Sequence, residues 1–135
     1  MTRWHSTAAT AVFLLVLAAC QRSRLVYEVP TGYVGWVHVS FGGSCQTDHR
    51  SLFGTTIEVA SDGTACSGIS SEARTTLVRV YYINSRGDRV RELRSTGWGE
   101  GGMYWAPVGS VDGKSTRFFV GTEEQLEASW KAGEG

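Results

Sequence analysis

From Leu25 onward the apolar residues recur at every second position, which is the period of a strand with one buried face and not of a helix. In RLVYEV, Leu25, Tyr27 and Val29 fall on one side. Pro30, Thr31 and Gly32 then supply a turn. The run YVGWVHVSF sets Tyr33, Gly35, Val37, Val39 and Phe41 on one face, and Val34, Trp36, His38 and Ser40 on the other. The first set reads as core. A one-faced strand must pair with others and hide that face against a second layer, so the chain is bound to layered sheets. TTIEVA, residues 55–60, reads as a strand burying Ile57 and Val59, and STRFFV, residues 115–120, as the last one. In TTLVRVYYINSRGDRVRELR two β-rich runs, Thr75 to Ile83 and Arg89 to Leu93, flank a short connection, the signature of a hairpin with Gly87 in the left-handed region. Turn chemistry accounts for Arg86-Gly87-Asp88.

The glycine-rich stretch STGWGEGGMYWAPVGSVDG cannot be helix and is expected to be a long loop or an irregular strand and turn. After the final strand, Thr122-Glu123-Glu124-Gln125 has the Thr-x-x-Gln pattern of a capping box, with acids in the first turn where the helix dipole favours them. Leu126 and Trp130, four apart, share a face that would dock the helix on a sheet. The expected fold is therefore mainly β: a small antiparallel β-sandwich or partly open barrel with a short C-terminal helix, in one domain over residues 25–135.

The first nineteen residues follow another logic. Arg3 and His5 precede an uninterrupted apolar run from Ala11 to Ala19, and the chemistry then changes abruptly at Cys20-Gln21-Arg22. This is the layout of an export signal. The run is too short to cross a bilayer of about 30 Å as a helix. Leu17-Ala18-Ala19-Cys20 resembles the lipobox of bacterial lipoproteins. That resemblance implies cleavage before Cys20, a lipid on its sulfur, and anchoring in the cell envelope facing away from the cytoplasm. The parts are then a signal peptide (1–19), a lipidated cysteine and short linker (20–24), and the domain. Gln21, in place of Asp, implies the outer membrane if the organism has two. An ordinary secretory signal cut nearby is the alternative.

Export puts Cys45 and Cys66 where disulfides persist. Twenty residues separate them, and a bond closing that loop would contribute about 3 kcal/mol. A Cys45–Cys66 disulfide is expected, with two independent thiols as the alternative. Thirteen basic and thirteen acidic residues balance, so no clustered cationic face for nucleic acid is expected. GGSCQ with Asp48 and His49 looks superficially like a hydrolase site, but no Gly-x-Ser-x-Gly elbow is present. Cys45, Asp48 and His49 lack the second cluster that a metal site needs, so no metal or cofactor is expected. His38, on a strand opposite the core set, reads as structural. Trp36, Trp98, Tyr104 and Trp105 could form a stacking platform for a sugar ring or apolar ligand. Equally, they could fill the second face of a small sandwich.

Val29-Pro30-Thr31-Gly32-Tyr33-Val34-Gly35-Trp36-Val37 and Phe119-Val120-Gly121-Thr122 resemble an uncharacterised bacterial family of small exported lipoproteins, a domain of unknown function. Its members share an aliphatic-Pro-x-Gly-aromatic-x-Gly-Trp opening and an aromatic-Val-Gly-Thr ending before an acidic helix. The resemblance implies fold and location, and no activity. Gly35 beside Trp36 suggests a bulge or a close approach to the main chain. The expectation is a non-enzymatic, membrane-anchored envelope protein that contacts a protein partner or other envelope component. The alternative is a ligand- or glycan-binding lipoprotein that uses the aromatic loop.

Overall fold

Every strand foreseen in the alternating runs forms, and the way two of them leave their sheet sets the topology. The computed structural model describes residues 24–44, 47–52, 54–70, 77–95, 103–110 and 113–134. In order these contain β1 (Arg24–Pro30), β2 (Gly35–Phe41), β3 (Asp48–Ser51), β4 (Gly54–Glu58), β5 (Thr64–Ser67), β6 (Leu77–Ile83), β7 (Arg89–Leu93), β8 (Tyr104–Ser110), β9 (Ser115–Gly121) and the helix α1 (Glu123–Lys131). One sheet, A, has the order β3-β4-β1-β6-β7 and the other, B, the order β5-β2-β9-β8. Neither closes into a barrel.

The two-sheet fold and terminal helix are as expected, but the pairing is mixed where antiparallel strands were anticipated. β1 runs parallel to both β4 and β6, and β2 runs parallel to β5. For the β1–β4 and β2–β5 pairs the reason lies in two short crossings. At Pro30–Thr31–Gly32–Tyr33–Val34 the chain passes from sheet A to sheet B instead of turning back beside β1. At residues 59–63 it does the same between β4 and β5. Two arches that cross in the same sense stack side by side, and their strands must then be parallel. Main-chain bonds knit them together: the Val59 amide donates to Glu28 O (2.9 Å) and the His38 amide to Gly63 O (2.8 Å). The Tyr33 hydroxyl, at the bend of the first arch, donates to Trp36 O. Gly63, at the bend of the second, is pressed against that hydroxyl.

The core is the space between the sheets. Leu25, Tyr27 and Val29 of β1, Val37, Val39 and Phe41 of β2, and Phe118 and Val120 of β9 are all buried in it. Complete burial stabilises each aliphatic side chain by about 2 kcal/mol. Tyr27 meets Phe118 at 4.8 Å between ring centroids, and Trp105 meets the same ring edge-on at 5.9 Å. The β6–β7 hairpin forms as the sequence indicated, with Val80 opposite Leu93. Its turn is held by Asn84, whose side-chain oxygen accepts from the Arg86 and Asp88 amides at 3.0 Å each. Gly87 takes φ of 83° there. The expected irregular strand is β8, which shifts register between Val108 and Ser110.

All four sheet edges are blunted. β7 (RVREL) and β3 (DHRS) carry charges, β5 is four residues long, and β8 contains Pro107, which has no amide to offer a further strand. Such edges resist pairing with a foreign strand.

Candidate functional site

Of the residues singled out from sequence, Cys20, Cys45 and Trp98 lie outside the described residues. The three remaining aromatic candidates are not gathered into a solvent-facing platform. Trp36, Tyr104 and Trp105 are 8%, 6% and 9% exposed. Tyr104 and Trp105 are adjacent on one strand and point to opposite faces, while Trp36 stands on the outer face of sheet B. The filler alternative describes them. Trp105 walls a cleft of about 500 Å³ that Leu77, Val78, Arg79, Glu92 and Leu93 also line.

Trp36 belongs to a small second core. Its ring meets Phe119 at 5.3 Å and Trp130 of α1 at 5.5 Å, both edge-on. Its indole N–H donates to the buried Ser129 hydroxyl of the helix. The Arg117 guanidinium lies 5.1 Å above the same ring in a cation–π geometry, and its buried Nε has no hydrogen-bond partner among the described residues. The helix that closes this cluster starts as foreseen. The Thr122 hydroxyl accepts from the Gln125 amide (3.2 Å), and the Gln125 side-chain oxygen accepts from the Thr122 amide (2.9 Å).

This arrangement explains the two distant motifs. Gly35 pairs with Val120 and Trp36 with Phe119 across β2 and β9, so the opening and the ending meet beneath α1. Gly35 has φ of 140°, and what approaches it is the Tyr33 phenol, at 3.5 Å from where a Cβ would stand. Ser129 and Arg117 were missed from sequence. Arg117, two residues from Phe119 in an alternating strand, was the available signal.

The Asp48–His49 pair is divided. Asp48 Oδ2 accepts from the Ser67 hydroxyl (2.6 Å) and the Gly68 amide (3.0 Å), and Arg50 stands 3.6 Å away. The Ser67 hydroxyl holds the Asp48 carboxyl below the usual carboxylate range; partial burial opposes this, and Gly68 and Arg50 add to it. His49, exposed, faces outward opposite Thr56 of β4. Neither it nor Ser44 makes a side-chain hydrogen bond among the described residues, so these two do not form a nucleophile–base pair. No group of three metal-ligating side chains occurs among the described residues either.

Asp48 instead ties β3 to the loop after β5. Because its folded-state pKa is depressed, its stabilisation is present above the ordinary carboxyl value of about 4 and is lost as pH falls through the lower folded value. Asp48→Asn is expected to cost about 1 kcal/mol at pH 7. Urea unfolding at pH 7 and pH 2.5 checks this: the gap between variant and parent should shrink at the lower pH.

Beside this tie, the Thr47 hydroxyl donates to Cys66 O (2.8 Å) and lies 3.6 Å from Cys66 Sγ. A cleft of about 510 Å³ opens next to them, lined by Ser40, Thr47, Glu58, Thr64 and Cys66. At the arch bend, burial raises the Tyr33 hydroxyl's pKa, and Asp62 raises it further.

No protein-family model matches the chain, and no curated protein does. Its fold has a solved counterpart. The described architecture is similar to a crystal structure described as "Putative Lipoprotein from Bacillus anthracis", with a TM-score of 0.52 over 73% of this chain and 69% of the other. The two sequences are 17% identical, so the likeness is one of fold.

Proposed function

We propose that this chain is a non-enzymatic, lipid-anchored protein of a bacterial cell envelope that presents its β-sandwich to a protein partner or other envelope component. One observation carries the reading. The lipobox-like Leu17-Ala18-Ala19-Cys20 is followed after only three residues by β1, a central strand of the sheet. The folded domain thus starts where the anchor ends. The fold shared with a protein described as a lipoprotein supports this, as does the resemblance of the two motifs to small exported proteins. In a bacterium with two membranes, Gln21 favours the outer one. Asp48, the acid that a hydrolase site would need beside His49, is committed to Ser67 and Gly68, which supports a structural role. Blunted edges favour a partner that binds a face or an end of the sandwich.

A Cys45–Cys66 disulfide belongs to the same reading. Thr47, two residues from Cys45 along the chain, donates to Cys66 O and lies beside its sulfur, which supports that pairing.

The test is chemical. Cells fed radiolabelled palmitate should yield labelled protein from the parent and none from Cys20→Ser. An unlabelled parent would overturn the anchor. The same protein, alkylated in denaturant before reduction, should leave Cys45 and Cys66 unmodified. Crosslinking in cells then identifies what the domain touches.

A further inference from the structure

The charges of sheet A change along its strands: Arg89 and Arg91 stand at the far end, past the acidic rows, and Arg24, Arg50 and Arg79 at the end where the chain enters. The first row, at the start of β1, holds Arg24, Leu77, Gly54 and Ser51. Leu25, Val78, Thr55 and Arg50 form the second row, and Val26, Arg79, Thr56 and His49 the third. These rows contain Arg24, Arg50 and Arg79 and, among the described residues, no carboxylate. The next two rows hold Asp48, Glu28, Glu58 and Glu92. Arg50 and Arg79 lean back toward Asp48 and Glu92, at 3.6 and 3.7 Å; both guanidiniums remain exposed to solvent, and water and salt weaken the Arg79–Glu92 pair, which is exposed on both sides. Arg24 is exposed at the very end.

The same end carries two exposed leucines. Leu52, at the tip of the β3–β4 hairpin, is 92% exposed, and Leu77, beside Arg24, is 43% exposed. Isolated surface leucines need no explanation. Here, however, both share one end of a sheet with Arg24 and Arg50 and with the point where the chain enters from Cys20. Three residues intervene between Cys20 and Arg24, so Arg24 lies within about 14 Å of the lipid-bearing residue.

We infer that this end of sheet A, with Leu52 and Leu77 flanked by Arg24 and Arg50, rests on the surface of an anionic phospholipid bilayer. The inference depends on the lipid anchor proposed above. It adds an orientation: the leucines enter the headgroup–acyl boundary, the arginines meet lipid phosphates, and the acidic rows and the β6–β7 turn face away. A tether this short holds the face at the membrane continuously, so even a weak contact fixes the orientation.

The test uses the mature, acylated protein reconstituted into vesicles of phosphatidylglycerol and phosphatidylcholine, with or without brominated acyl chains as depth-dependent quenchers. A reporter is introduced as Leu52→Trp at the proposed face, or as Val90→Trp, at an exposed site on β7 close to the β6–β7 turn. Emission of the reporter at position 52 should fall about twofold with brominated lipid, while that at position 90 stays unchanged. Combining Leu52→Trp with Arg24→Glu and Arg50→Glu should halve that quenching in anionic vesicles, roughly to the level seen in vesicles of phosphatidylcholine alone. Protein that floats with the vesicles but shows equal quenching at both positions overturns the orientation and leaves the anchor standing. Protein that carries no acyl group and does not float overturns both.

Discussion

Gly63→Ala is expected to destabilise the domain by about 3 kcal/mol, a large share of the stability of a domain this size. Two costs combine. Gly63 has φ of 83°, a conformation that charges a residue bearing Cβ about 1 kcal/mol. The added Cβ would also stand 2.5 Å from Trp36 O and 3.0 Å from Tyr33 Cζ, and closer still to the Tyr33 hydroxyl. The obstacle is the backbone of one arch and a partly buried phenol held by its hydrogen bond to Trp36 O, and such overpacking costs about 1–3 kcal/mol more. Gly87 is the internal control. It has the same φ of 83°, with nothing within 4 Å of its would-be Cβ, so Gly87→Ala should cost only about 1 kcal/mol. Urea unfolding of both variants reads the difference. Equal losses would show that the arches do not press on each other.

Trp36→Ala is expected to cost about 4 kcal/mol and to release the helix. The indole supplies the edge-on contacts to Phe119 and Trp130, the hydrogen bond to Ser129 and the surface beneath Arg117. Without it, α1 keeps its capping box but loses the face it docks on, and a nine-residue helix is marginal in water. Helical circular dichroism should therefore fall before the sheet melts, and proteolysis should remove the C-terminal segment first. Trp130→Ala, at a half-exposed position, should cost about 1 kcal/mol and leave the helix in place. If Trp36→Ala retains full helicity, the dock is held by Leu126 and Ala106 instead.

These two sites show what kind of information the chain carries locally. Thr122 and Gln125 form their capping box from neighbours three residues apart, and the hairpin around Gly87 likewise needs only its own turn. Both were legible for that reason. Trp36 could be seen to oppose the core set on its strand, yet its partners are Phe119, Arg117 and Ser129, up to 93 residues away. An alternating pattern names two faces without saying what covers the second. A ligand platform and a helix-covered face therefore look the same in sequence, and at Trp36 the ring is buried against α1. Asp48 and His49 are a similar case. Adjacent residues on a strand point to opposite sides, so their nearness in sequence separated them in space.

The sequence by itself determined the local matters: alternating strands with one apolar face, the hairpin at Gly87, the helix start at Thr122, and the apolar run ending in Leu17-Ala18-Ala19-Cys20. Each depends on residues within a few positions of one another, where dihedral preference and side-chain period act directly. Long-range packing set the rest: β1 and β4 lead across between sheets and lie parallel, Trp36 sits under α1, and Leu52 and Leu77 share an end of sheet A with Arg24 and Arg50, where the chain enters. Those outcomes depend on which strand becomes whose neighbour. Neighbours are chosen by burying all the apolar faces at once, and no local stretch of sequence records that choice.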